Sequence, residues 1–99
     1  MVGKGIVWFA KKECKFSQKA EGLLSKIGAS NKRIDVDSWP ADDIKKMQIE
    51  SAHMTFPNIY ISKMHVGGFE KLDELYKNKK LFHMLKEEGI SYKEDTERN

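Results

Sequence analysis

Gly5-Ile6-Val7-Trp8-Phe9-Ala10-Lys11-Lys12-Glu13-Cys14-Lys15-Phe16-Ser17 carries the change of period that decides the fold. Gly5–Ala10 is uncharged, rich in β-branched and aromatic side chains, and bounded by lysines, which predicts a buried strand. From Phe16 onward the apolar spacing becomes helical. Phe16, Ala20, Leu23, Leu24 and Ile27 recur at i, i+4, i+7, i+8 and i+11, one helix face that Gly28 ends. Lys32–Val36 then alternates polar and apolar residues, as a half-buried strand does. Strand, helix and strand in this order predict a right-handed parallel crossover.

Downstream, Asp37-Ser38-Trp39-Pro40 offers helix-start chemistry: a capping side chain, a proline for the first turn, and Asp42 and Asp43 near the positive end of the dipole. Ile44, Met47 and Ala52 form the expected inner face. Thr55-Phe56-Pro57 precedes a strand at Asn58–Ile61, and after a turn at Ser62–Lys63 the short strand Met64–Val66 returns as a hairpin. Past Gly67-Gly68, the sets Leu72, Leu75, Tyr76 and Leu81, Met84, Leu85 are each helical but out of phase. They predict a helix that breaks near Asn78 and closes at Gly89. The order is β-α-β-α-β-β-α: an α/β fold with a small four-stranded mixed sheet flanked by helices. One domain is expected over 1–90, with a polar, flexible tail over 91–99.

Composition bounds what such a domain does. With 99 residues, 39% hydrophobic and 33% charged, the chain is too apolar for disorder and too polar for a membrane protein. Its longest stretch without Asp, Glu, Lys or Arg, Ser51–Ser62, falls short of the roughly 20 residues of a spanning helix. The start does not read as a secretory signal. One cysteine cannot close an internal disulfide, so a reducing, cytoplasmic setting is expected. The net charge of +3 is not clustered enough to suggest nucleic acid, and Lys77–Lys80 reads as a solvated face. His53, His65 and His83 lack zinc-site spacing and are expected at the surface or in packing roles. Trp8 and Trp39 are expected to pack.

Three loops carry the chemistry. Cys14 falls at the start of the first helix, where orphan N–H groups and the dipole favour an anion, with Lys11, Lys12 and Lys15 nearby. A free cysteine titrates near 8.5, and such surroundings lower it to roughly 3.5–7.5, so Cys14 reads as a nucleophilic thiolate. Thr55-Phe56-Pro57 holds Phe56 in extended geometry, leaving its backbone open to another extended chain. Gly67-Gly68, ahead of a helix, lets backbone N–H groups cradle a carboxylate.

Together these loops resemble the glutaredoxin family of the thioredoxin-like fold. Cys14-Lys15-Phe16-Ser17 stands where that family has Cys-x-x-Cys or Cys-x-x-Ser, with Lys11 upstream. Thr55-Phe56-Pro57 is similar to its Thr-Val-Pro segment with a cis proline, and Val66-Gly67-Gly68-Phe69 to its glycine-glycine loop. The spacing matches from about Gly5 to Gly89. The resemblance implies a glutathione site. Cys14 would form the mixed disulfide, Lys11 would neutralise the glycyl carboxylate, and the Phe56 backbone, held by Pro57, would pair with the cysteinyl main chain. Gly68 and Phe69 N–H groups would receive the γ-glutamyl carboxylate. Lys71 stands where family members often carry an acid for the γ-glutamyl ammonium; Glu70 is the expected substitute.

Ser17, where a resolving thiol would stand, cannot close an intramolecular disulfide. The expectation is therefore a monothiol enzyme that removes glutathione from glutathionylated proteins through Cys14. No membrane or nucleic-acid partner is expected. The alternative is a non-enzymatic carrier of a glutathione-ligated [2Fe–2S] cluster, with Cys14 as its metal ligand in a dimer. Single-cysteine relatives with Cys-Gly-Phe-Ser are associated with that role; Lys15 replaces their glycine and would crowd a bridging cluster.

Overall fold

In the computed structural model, which describes residues 5–93, the chain runs β1 (Ile6–Ala10), α1 (Lys15–Lys26), β2 (Asn31–Asp35), α2 (Ala41–Ser51), β3 (Asn58–Ile61), β4 (Met64–Gly67), α3 (Phe69–Lys77) and α4 (Lys80–Glu87). The four strands form one mixed sheet in the order β2-β1-β3-β4. β1 pairs with β2 in parallel and with β3 antiparallel, and β3 with β4 antiparallel. The expected thioredoxin-like architecture is present, including the break in the last helix. Lys79 interrupts it with a left-handed φ of 71° between α3 and α4.

The sheet is covered on both faces because its strands alternate. Ile6, Trp8 and Ala10 of β1 and Ile59 and Ile61 of β3 join Ala20, Leu23 and Leu24 of α1 and Leu72, Leu75, Leu81 and Leu85 of the last two helices in one buried cluster. The indole N–H of buried Trp8 donates to Asn31 Oδ1 at 3.0 Å. On the opposite face, Phe9 meets Trp39 edge-on, and buried Asn58 reaches α2, its amide donating to Ser51 Oγ at 2.8 Å and to Met47 Sδ at 3.2 Å. The β3–β4 register shifts between Ile59 and Tyr60, so Val66 is the extra residue of a bulge. That irregularity feeds the chain into Gly67, at φ +112°, just before α3.

Four expectations are corrected. Phe16 does not join the core face of α1: it is 45% exposed and belongs to the site below. Pro40 precedes α2 at its N-cap and no side chain caps that helix; the Asp37 carboxylate instead accepts the Lys12 N–H. Ala52 lies outside the inner face of α2, ending the helix in the left-handed region at φ 55°. The segment 91–93, expected to begin a free tail, runs back along the α1–β2 turn. Ser91 O accepts the Ser30 N–H at 2.8 Å, the Lys93 N–H donates to Ile27 O at 2.6 Å, and Tyr92 packs on Phe82. The rest of the predicted tail lies outside the described residues.

Candidate functional site

Cys14 is the N-cap of α1, in extended geometry (φ −80°, ψ 121°), with no acidic residue in the first turn behind it. Its own N–H donates to Lys11 O at 3.1 Å and its carbonyl accepts the Gln18 N–H at 3.1 Å, which fixes the sulfur over the helix start. The side chain is half-buried, and the thiol donates to the carbonyl oxygen of Phe56 at 3.4 Å. Ser17 is fully buried one turn on; its Oγ accepts the Lys11 N–H at 3.4 Å. Partial burial pushes the Cys14 thiol up. The N–H and hydroxyl of Ser17, the N–H of Phe16 and the Lys11 charge together outweigh it and hold the thiol below its ordinary range. A thiolate there meets helix-start donors, which is the arrangement that favours a nucleophile over an inert cysteine.

A cavity of about 510 Å³ lies between the loop before β3 and the start of α3, with Phe56 in its wall. The Phe56–Pro57 peptide is cis. Gly68 caps α3 with extended backbone and no side-chain hydrogen bond, so the N–H groups of the first turn face outward, available to an anion. Phe16 stacks on Phe69 with ring centroids 6.4 Å apart, and Lys19 Nζ lies over both rings at 5.4 and 6.0 Å. At the other end Lys11 Nζ lies 5.3 Å from the Phe56 ring centroid. Positive charge therefore rims an apolar floor, as suits a short anionic peptide.

The sequence-predicted residues divide among three places. Phe16, Thr55, Phe56, Gly67, Gly68, Phe69 and Glu70 line the cavity, and so does Lys71. Cys14 and Lys11 line an adjoining cleft of about 450 Å³ with Lys12, Glu13 and Asp37. The Cys14–Phe56 contact joins the two. Pro57 is buried beneath, and Lys15 is exposed and lines neither.

Sequence reading missed His53 and His65, which both line the cavity, and Asp37, which lines the cleft. The His53 and His65 rings lie 5.4 Å apart, edge to face. His53 Nε2 is 3.2 Å from Pro57 O and 3.2 Å from Thr55 Oγ1. His65 is exposed along one side but turns its ring onto Tyr60, and its Nε2 lies 2.7 Å from Asn58 Oδ1. The Asn58 amide nitrogen is spent on Ser51 and Met47, so the oxygen accepts and His65 Nε2 carries the proton. Partial desolvation, and then the neighbouring His53, hold the His65 pKa below its usual range. The signal that could have found His53 was its place two residues before Thr55, at the mouth of a loop already singled out.

A glutaredoxin family model matches residues 6–66. A glutaredoxin of Solanum lycopersicum is 32% identical over 96 residues, covering 95% of this chain and 89% of that protein. A probable monothiol glutaredoxin 2 of Rickettsia typhi is 39% identical over 77 residues, covering 76% of this chain and 67% of that one. Among solved structures, a buckwheat glutaredoxin–glutathione complex superposes with a TM-score of 0.79 at 28% identity, over 86% of this chain and 79% of the other.

Proposed function

Because the chain belongs to the glutaredoxin family and carries one cysteine where a Cys-x-x-Ser motif stands, we propose that it removes glutathione from mixed disulfides by one-thiol exchange at Cys14. The observation that carries this reading is the Cys14 sulfur, held below its ordinary pKa at the uncapped start of α1 and 3.4 Å from the carbonyl oxygen of Phe56, a residue that also lines the 510 Å³ cavity.

In the first half-reaction the Cys14 thiolate attacks the glutathionyl sulfur of a protein–glutathione disulfide. A Cys14–glutathione disulfide forms, the protein's S–S bond breaks, and the protein sulfur leaves as a thiolate that takes a proton from solvent. In the second, the thiolate of a second glutathione attacks the glutathionyl sulfur bound to Cys14. Glutathione disulfide leaves and the Cys14 thiolate is restored. One reduced glutathione is consumed for each mixed disulfide: its sulfur is oxidised as the protein sulfur is reduced, and the transferred glutathionyl sulfur stays at the disulfide level throughout. The chain's own residues orient the tripeptide: Phe56 through its backbone, Lys11 toward the glycyl carboxylate, and the Gly68 and Phe69 N–H groups toward the γ-glutamyl carboxylate. A low thiol pKa also makes Cys14 a good leaving group in the second step. The reaction needs a pool of reduced glutathione, which fits a reducing, cytoplasmic setting.

The second reading, carriage of a [2Fe–2S] cluster between two copies, needs four sulfurs, two from Cys14 and two from glutathione. Lys15, exposed beside Cys14, would stand its stem and ammonium between the copies. Exchange is placed first for that reason.

The test is steady-state reduction of a glutathione mixed disulfide of a small thiol, with glutathione as reductant. Turnover lost in Cys14→Ser, with a disulfide lacking glutathione left unreduced, supports the proposal; equal turnover of both disulfides contradicts it.

A further inference from the structure

His53 sits at the junction of the two loops that a bound tripeptide would have to bridge. Its Nε2 lies 3.2 Å from the carbonyl oxygen of Pro57, an atom that can only accept, so Nε2 carries a proton and donates it there. Thr55 Oγ1, 3.2 Å from the same nitrogen, shares that donor. The edge of the ring faces the glycine pair. A Cβ on Gly67 would stand 3.8 Å from His53 Cε1, and one on Gly68 would stand 3.6 Å from Cε1 and from Nε2. One half-buried imidazole thus hydrogen-bonds the Phe56–Pro57 loop and turns its edge to the Gly67–Gly68 loop, across a space that a side chain on either glycine would fill.

His65 does not duplicate this arrangement. Its Nε2 proton is committed to Asn58 Oδ1 on β3, at 2.7 Å. It packs edge to face on His53, which limits how far the His53 ring can swing from Pro57.

We propose that His53 is a positioning residue for glutathione: it holds the Phe56–Pro57 backbone at a fixed distance from the Gly67–Gly68 backbone, and so sets the grip of the cavity on the glutathionyl group. The inference rests on the reading of Cys14 as a deglutathionylating thiol and adds a residue to it. His53 acts through Pro57 O and the glycine pair and takes no part in bond exchange. Its loss should weaken recognition of the tripeptide while leaving the nucleophile untouched. The expected loss is that of one neutral hydrogen bond, about three- to tenfold in the second-order rate with a glutathionylated substrate.

Two variants separate the roles of the imidazole. His53→Phe keeps a ring against Gly67–Gly68 but has no donor for Pro57 O. His53→Gln places an amide nitrogen near the position of Nε2 and keeps the donor. Each is assayed in three ways: kcat/KM for a glutathionylated peptide, rate of Cys14 alkylation by iodoacetamide across pH, and thermal unfolding. The proposal expects His53→Phe to lose three- to tenfold in kcat/KM with an unchanged alkylation profile, and His53→Gln to recover most of the loss. Wild-type kcat/KM in His53→Phe overturns it. So does a His53→Gln value as low as that of His53→Phe, or alkylation slowing in parallel with exchange in either variant. Should the wild-type protein itself fail to prefer a glutathionylated peptide over a disulfide without glutathione, the parent reading fails instead, and the two failures are told apart.

Discussion

The Cys14 thiol and the Phe56 carbonyl oxygen, 42 residues apart in sequence, lie 3.4 Å from each other with the thiol as donor. The contact exists only in the protonated state. Once the thiol ionises the donor is gone, and a thiolate facing a carbonyl oxygen is repulsive. In the proposed reaction the Phe56 carbonyl then has one lone pair more for an N–H of the tripeptide main chain, so the state of the nucleophile bears on the backbone that would hold its substrate.

Ser17 couples to this contact from behind, its buried Oγ accepting the Lys11 N–H and standing among the donors that lower the Cys14 pKa. Ser17→Ala should raise the thiol pKa and leave the Lys11 N–H without its acceptor, at a stability cost of about 1 kcal/mol. Alkylation against pH and denaturant unfolding read the two effects separately. Ser17→Cys should add reduction of protein disulfides without glutathione links, measured with insulin; no gain would count against Ser17 standing where a resolving thiol acts.

Lys71 lines the cavity, and its ammonium is 3.9 Å from Glu74, an exposed pair too weak to neutralise it. In the proposed glutathione pose its charge would oppose the γ-glutamyl ammonium. Lys71→Asp should lower KM for glutathione about two- to fivefold, with kcat little changed. An unchanged KM would show that Glu70 already meets that ammonium.

Phe16 and Leu24 share α1 but answer to different demands. Phe16 is 45% exposed and stacked on Phe69, whereas Leu24 is 1% exposed in the core. Phe16→Ala should cost about 1 kcal/mol or less in stability yet slow exchange with glutathionylated substrates. Leu24→Ala should cost about 2–5 kcal/mol. Equal stability losses would place Phe16 in the core after all.

The difference between these two residues also shows how far the sequence could be read. Period gave the element order, because burial on one face forces apolar residues to recur at 3.6 or 2.0. It misplaced Phe16 for the same reason: a site residue at the first turn of a helix keeps the spacing of the core face while facing a cavity. The loops bearing Cys14, Phe56 and Gly68 were legible because thiol, proline and glycine each have a narrow chemical use. His53 offered only its nearness in sequence to the Thr55 loop as a signal, since its place between Pro57 and Gly67–Gly68 arises only when the two loops fold to either side of it. The capping side chain expected from Asp37-Ser38-Trp39-Pro40 did not reach α2, because the Asp37 carboxylate accepts the Lys12 N–H at 3.2 Å, a partner 25 residues away that local pattern does not announce.

Stability should carry the mark of the same ionisation. A thiol whose folded pKa is depressed contributes stability that is fully present above the unfolded value, about 8.5, and lost as pH falls through the folded value. Reduced wild-type protein should therefore gain on Cys14→Ser as pH rises through that window, and the difference should level off at either side. Urea unfolding at a series of pH values would show it; a difference that is flat with pH contradicts a depressed pKa.

The central claim is that the surroundings of Cys14 hold its thiol below the ordinary range and leave it open to reaction, and the rate of its alkylation by iodoacetamide from pH 4 to 10 tests it most directly. The account predicts a half-maximal rate clearly below the value of about 8.5 of a free cysteine, moving upward in Ser17→Ala. A midpoint at or above 8.5, or a sulfur that the reagent fails to reach in the native protein, would contradict it.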